Sequence, residues 1–115
     1  MHDTQEQIET VELTLKEARD SVQLKNALLR LDTNADYKLL VLHGYFEVEA
    51  ARLVMSKAAP AMATEEHQAM INKSIDAVGA YFQYTNTVYH KGMVAEKAII
   101  SDEETRDELL AEGGE

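Results

Sequence analysis

Between Thr64 and Ile100 the apolar side chains Ile71, Ile75, Val78, Phe82, Tyr89, Met93 and Ile100 recur in steps of three, four and seven. Such steps lay one stripe along one side of a helix. The stretch contains no proline, and its only glycines are Gly79 and Gly92. Thr64 is a suitable N-cap, and Glu65 and Glu66 fall in the first turn, where the helix dipole favours negative charge. The pattern predicts one helix over residues 64–100, roughly 50 Å long at 1.5 Å per residue. That length does not fit inside a compact 115-residue body. The expectation is an elongated molecule, or one paired with copies of itself, in which the stripe is covered by neighbours.

The first helix is expected over residues 4–31. Asp3 or Thr4 can cap it, and Ile8, Val11, Leu15, Ala18 and Val22 keep a heptad-like step. The pattern then slips to Leu24, Leu28 and Leu31, which reads as a stutter. Asp32-Thr33-Asn34 is a turn, and Asn34 caps a second helical segment expected over residues 35–58. Tyr37 and Leu39 to Leu42 make that segment apolar on nearly all sides, the composition of a helix buried between others. Gly44 predicts a kink or a stop within it, and Pro60 ends it. The short loop that follows should turn the chain back on itself. After Ile100, Ser101-Asp102-Glu103-Glu104 forms a capping box that either starts a short acidic helix over residues 101–112 or marks a bend. The last residues, Glu112-Gly113-Gly114-Glu115, are expected to be loose.

The elements therefore predict a single all-α domain over residues 1–115, an elongated helical hairpin or bundle. Composition agrees: one proline, no tryptophan, 45% hydrophobic residues and a prevalence of Ala, Leu and Glu. Cysteine is absent, which removes disulfides, thiolate nucleophiles and cysteine metal sites from consideration. The start of the chain shows no basic segment followed by an apolar run, and its densest apolar stretch, Leu39 to Leu42, is far short of a membrane span. Neither a signal peptide nor a membrane partner is expected. The net charge is −10, which disfavours direct nucleic-acid contact, since phosphates are held by Lys and Arg. Seven acids and one base fall within Ser101 to Glu115, so more than half of the excess charge lies there.

Candidate chemistry is sparse. None of His2, His43, His67 and His90 has a glutamate three residues before it, and no His-Glu-x-x-His motif occurs. There is no Gly-x-Ser-x-Gly elbow and no glycine-rich phosphate loop. No metal, cofactor or catalytic residue is expected. The candidates that remain are contact residues. Tyr45, Phe46, Tyr81, Tyr84 and Tyr89 are either the margin of the core or a protein-binding patch, because tyrosine suits half-wet interfaces. Asp102, Glu103, Glu104, Asp107 and Glu108 are either a solvated face or a dock for a basic surface. Within the central block, Arg52 follows Glu49 by one helical turn and can pair with it, while Tyr45 and Phe46 can plug the junction with the long helix.

The block Asp36-Tyr37-Lys38, Gly44-Tyr45-Phe46 and Glu49-Ala50-Ala51-Arg52-Leu53-Val54 resembles a pattern in small helix-rich proteins of tailed bacteriophages, termed coil-containing or hypothetical. The resemblance covers residues 24–100. It departs at Lys57-Ala58-Ala59-Pro60, where those proteins carry a more polar loop. It implies no activity. It does imply a context: genes near those for head and virion assembly, a location in the host cytoplasm or in the virion, and partners among phage proteins or copies of the chain itself. The expected function is that of a non-enzymatic virion or assembly protein acting through helix contacts. The alternative is an acidic inhibitor that meets a host defence or nucleic-acid enzyme.

Overall fold

In the computed structural model, which describes residues 2–113, the fold is all-α. Helix α1 runs over His2–Asp32, α2 over Ala35–Tyr37, α3 over Ala50–Ser56 and α4 over Glu65–Gly113. A π-helical segment, Lys38–Glu49, joins α2 to α3, and a single 3-10 turn, Pro60–Met62, precedes α4.

The boundaries have local causes. The Asn34 side chain accepts the Tyr37 backbone N–H at 2.9 Å, so the second segment starts at its cap. Thr64 Oγ1 accepts the His67 backbone N–H at 3.2 Å, and Glu65 and Glu66 follow in the first turn of α4. Pro60 starts the 3-10 turn, where its missing N–H does no harm. The Gln68 side chain closes the loop by donating to the carbonyls of Lys57 at 3.0 Å and Met62 at 2.8 Å.

Gly44 neither stops nor breaks the segment. Within Lys38–Glu49 the backbone is wound one residue wider per hydrogen bond, so that the Ala50 N–H reaches back to the Tyr45 carbonyl. A Cβ on Gly44 would lie 2.9 Å from the Leu39 carbonyl oxygen, closer than side chains tolerate. Glycine is the residue that fits this widened turn. The kink expected here is thus replaced by a continuous π-helical run.

Two compact units make up the fold: Met1–Ala27 with Val88–Glu115, and Leu28–Thr87. In the first, α1 and the later part of α4 pair antiparallel. Arg19 meets Glu103 at 3.1 Å and Lys25 meets Glu96, so the partner number falls as the α1 number rises. Residues removed at least partly from water on α1 include Thr4, Ile8, Val11, Leu15, Ala18, Val22 and Lys25. On α4 they include Val88, Gly92, Ala95, Ile99, Asp102, Arg106 and Leu109. Both sets alternate steps of three and four, the seam of a two-stranded coiled coil. Leu15 is fully buried.

This seam departs from the predicted stripe. Tyr89, Met93 and Ile100 lie outside it, Ile100 at 65% exposure, while Gly92 and Ala95 lie inside. The reason is the closeness of the helices. A Cβ on Gly92 would overlap the Lys25 side chain, coming within 2.8 Å of its Cγ and Cδ. The Lys25 stem therefore lies across bare backbone, 5% exposed, and its amine reaches the Glu96 carboxylate. The expected slip to Leu24 and Leu31 does not set the packing, since both are about half exposed.

The acidic end is no separate helix. Residues from Ser101 to Gly113 continue α4, and the Ser101 carbonyl accepts the Thr105 hydroxyl at 3.1 Å instead of Ser101 acting as a cap. Asp102, Arg106 and Leu109 extend the seam beside the start of α1, which holds the helix together past the capping-box signal. Glu112 and Gly113 are helical too; Gly114 and Glu115, part of the end expected to be loose, lie outside the described residues.

In the second unit the segment from Ala35 to Ser56 runs antiparallel to the first part of α4. Tyr37 meets Tyr81, and Lys57 meets Gln68. Leu53, Ile71 and Val78 are buried there. Leu39 and Leu40, expected between other helices, are 69% and 73% exposed.

The contact at Gly92 makes a testable case. Alanine is the better helix former by about 1 kcal/mol. Overlap with Lys25 should nevertheless make Gly92→Ala less stable than the parent, by about 1–3 kcal/mol as for other overpacked sites. Denaturant melts of the two proteins measure the difference.

Candidate protein-contact site

The residues that could recognise another molecule lie in two places, one in each unit. In the unit Leu28–Thr87, the π-helical segment aims Tyr45 and Phe46 at α4. Their ring centroids lie 5.8 Å apart. Tyr81 stands 5.2 Å from Phe46 and edge-on to Tyr45 at 6.2 Å. Phe82 meets Phe46 edge to face at 5.5 Å with an interplanar angle of 88°. The two edge-on pairs, Tyr45 with Tyr81 and Phe46 with Phe82, have the T-shaped arrangement that ring quadrupoles favour, and the other two pairs are tilted. Adjacent residues on a wide helical turn can thus meet adjacent residues on α4.

Tyr37 completes the cluster through its hydroxyl, 2.9 Å from that of Tyr81. Its phenol is pushed up from 10.0 to about 12, chiefly by burial and then by the hydrogen bond to Tyr81. On the outer side of the same helix, Arg52 Nε donates to Glu49 Oε2 at 2.9 Å and its Nη2 to the other oxygen. This is the pairing expected one turn apart, here in the two-pronged geometry that guanidinium gives. The Arg52 hydrogen bonds hold the Glu49 carboxyl below the usual carboxylate range.

The cluster brings together Tyr45, Phe46 and Tyr81 of the expected contact residues. Tyr84 stands apart from it at 59% exposure, and Tyr89 belongs to the other unit, where its ring lies 5.5 Å from that of His90. Phe46 and Tyr45 do sit where the π-helical segment meets the long helix, but both are half-buried and Phe82 is 47% exposed. The aromatic group is therefore a wet margin and not an enclosed core. Next to it runs an open groove of about 450 Å³ lined by Leu42, Phe46, Glu47, Val78, Gly79 and Phe82. Leu42 and Gly79 were not among the residues singled out from sequence. The signal was present for Gly79, as an isolated glycine inside a helical pattern asks for a packing reason.

The second place is the acidic end. Glu103 accepts from Arg19 Nη2 at 3.1 Å, and Asp107 lies 3.5 Å from Arg106. Asp102 and Glu103 are partly covered, whereas Glu104, Asp107 and Glu108 are exposed. Antiparallel pairing sets this end beside the first turns of α1. A groove of about 550 Å³ there is lined by Asp3, Glu6, Gln7, Thr10, Val11, Thr105 and Leu109. The unit as a whole carries fourteen acids and six bases, a net charge of −8, against seven acids and five bases in the other.

Among the described residues, no three His, Asp or Glu side chains are grouped to hold a metal ion. No described helix is long and apolar enough to cross a membrane. No family model, curated protein or solved structure matches the chain.

Two outcomes follow from the aromatic geometry. The raised Tyr37 pKa means that folding favours the neutral phenol. Its contribution is complete below pH 10.0 and is lost as the pH rises through about 12. In an alkaline titration followed by phenolate absorbance, Tyr37→Phe should remove the transition at about 12. In dilute protein, Phe46→Ala should cost about 2 kcal/mol in a denaturant melt, roughly half the value for a fully buried ring. A loss of roughly 3–5 kcal/mol, the full-burial range, would mean that another molecule covers the ring.

Proposed function

We propose that this chain is a non-enzymatic, phage-encoded virion or assembly protein that works through helix-mediated contacts, with copies of itself and with other phage proteins as partners. The observation that carries the reading is the uncovered apolar surface of its helices. Leu39, Leu40, Met55 and Met70 are each between 65% and 73% exposed, while the buried hydrophobic side chains reduce to Ile8, Leu15, Leu53, Ile71, Val78 and Ala95 among the described residues. Apolar side chains left in water are available for contact with other molecules. The phage context rests on the resemblance carried by Asp36-Tyr37-Lys38, Gly44-Tyr45-Phe46 and the Glu49–Val54 block. The host cytoplasm or the virion is the corresponding location.

A second reading is favoured by the charge. With a net −8 on one unit, the protein has a surface suited to a basic partner, and an inhibitor of a host defence or nucleic-acid enzyme would use it. The two readings differ in salt response. Contacts made through apolar side chains persist at high salt, whereas charge-driven binding weakens as the Debye length shrinks to about 3 Å at 1 M.

Light scattering at high salt should give a mass above that of one chain, and mass spectrometry of purified particles should detect the protein at fixed copy number. A monomer at all concentrations, absent from particles and binding a host enzyme only at low salt, would replace the first reading with the second.

A further inference from the structure

We infer that the segment Lys38–Glu49 is a two-state element. It is held here in a π winding and can rewind as an α-helix, which turns Leu39 from water onto α4 and turns Tyr37 and Val41 outward. The inference goes beyond the reading of the protein as one that acts through helix contacts and does not depend on it.

The sequence carries a stripe for each winding. In the structure Tyr37, Val41, Tyr45, Glu49 and Leu53 are all at least partly covered. They follow one another in steps of four, the interval of a turn wider than the 3.6 residues of an α-helix. Leu39 and Leu40 fall on the other side, 69% and 73% exposed. A second apolar set, Leu39, Leu42, Phe46 and Leu53, is spaced by three, four and seven, the steps of an α-helical face. At about 100° per residue, Leu39, Leu42 and Phe46 would lie within about 40° of Leu53, whereas Val41 and Tyr37 would lie about 120° and 160° from it. Both stripes end on Leu53, which is buried. Rewinding therefore leaves α3 seated on α4 and repacks only what precedes it. The turn at Thr33 and Asn34, just before the segment, takes up the rotation.

Gly44 decides between the two windings. In the π form a Cβ at this position would lie 2.9 Å from the Leu39 carbonyl oxygen, so a side chain is refused. An α-helix imposes no such contact, and alanine is the residue it favours most. Glycine thus penalises the α winding and permits the π winding, which narrows the gap between them. Packed elements with two discrete arrangements turn a small local change into a change of surface. Here the surface that changes is at Leu39. The π winding offers this side chain to other molecules and the α winding withdraws it, so a contact that takes up Leu39 stabilises the π form.

The test reads both faces of the full chain in dilute protein. Cysteine is absent, so Leu39→Cys and Val41→Cys each supply a single thiol, and cysteine keeps the apolar character of the position. With Gly44 in place, the Leu39→Cys thiol should be alkylated faster than that of Val41→Cys. Adding Gly44→Ala should slow Leu39→Cys by at least about tenfold, the factor for a reactive winding reduced to a minor state, and should speed Val41→Cys. Gly79→Ala, at a helical glycine with open space around its Cβ position, brings the same gain in helix propensity and should change neither rate. Opposite changes at the two thiols separate rewinding from loosening, which speeds both. Any other result with Gly44→Ala, whether both thiols faster, either rate unchanged or the helical circular-dichroism signal lost, means that the segment has only its π winding and overturns the inference.

Discussion

Two helices laid side by side hide only one narrow stripe of each from water. In the unit Met1–Ala27 with Val88–Glu115 that stripe is occupied on α4 by Val88, Gly92, Ala95, Ile99, Asp102, Arg106 and Leu109, many of them small or polar. Close approach at Gly92 lets the Lys25 stem serve as a packing surface while its amine stays paired with Glu96. The arrangement gains contact density at the crossing at the expense of covered area. Larger side chains such as Met93, Val94 and Ile100 are consequently left outside it. The same limit governs the other unit, where Leu53, Ile71 and Val78 are the buried hydrophobic residues.

The π-helical segment is the second constraint. Its wider winding changes the angular interval between successive side chains, so an apolar run is not collected onto one face. Leu39 and Leu40 point into solvent while Tyr45 and Phe46, a few residues on, meet Tyr81 and Phe82. Gly44 permits the winding because a side chain there would strike the Leu39 carbonyl. π-helical turns are frequent at functional sites, and here the widened turns carry one wall of the open groove.

Charge is divided unevenly between the units. Antiparallel pairing places the acids after Ser101 next to those of the first turns of α1, distant in sequence. Acids in the last turns of α4 also oppose its dipole, with no basic residue in the final turn to offset them. Packing of Asp102, Arg106 and Leu109 against α1 sustains the helix there. The nearly neutral unit is free of that repulsion and holds the aromatic cluster.

Much of this could be read from the order of residues. Caps at Asn34 and Thr64, the break at Pro60, the Glu49–Arg52 pair and the inward positions Ile8, Leu15, Ile71 and Val78 are local matters, set by side-chain chemistry and helical spacing. The same holds for the all-α class. What could not be read depends on how near a second helix comes. Hydrophobic spacing favours Phe82, Tyr89 and Met93 as core, yet a close crossing admits Gly92 and Ala95 and turns a lysine inward. A capping box at Ser101 asks for a new helix or a bend, yet the neighbouring helix keeps the chain wound without a break to Gly113. Winding of Lys38–Glu49 is likewise not decided by hydrophobic spacing, because it is set by backbone geometry within the segment.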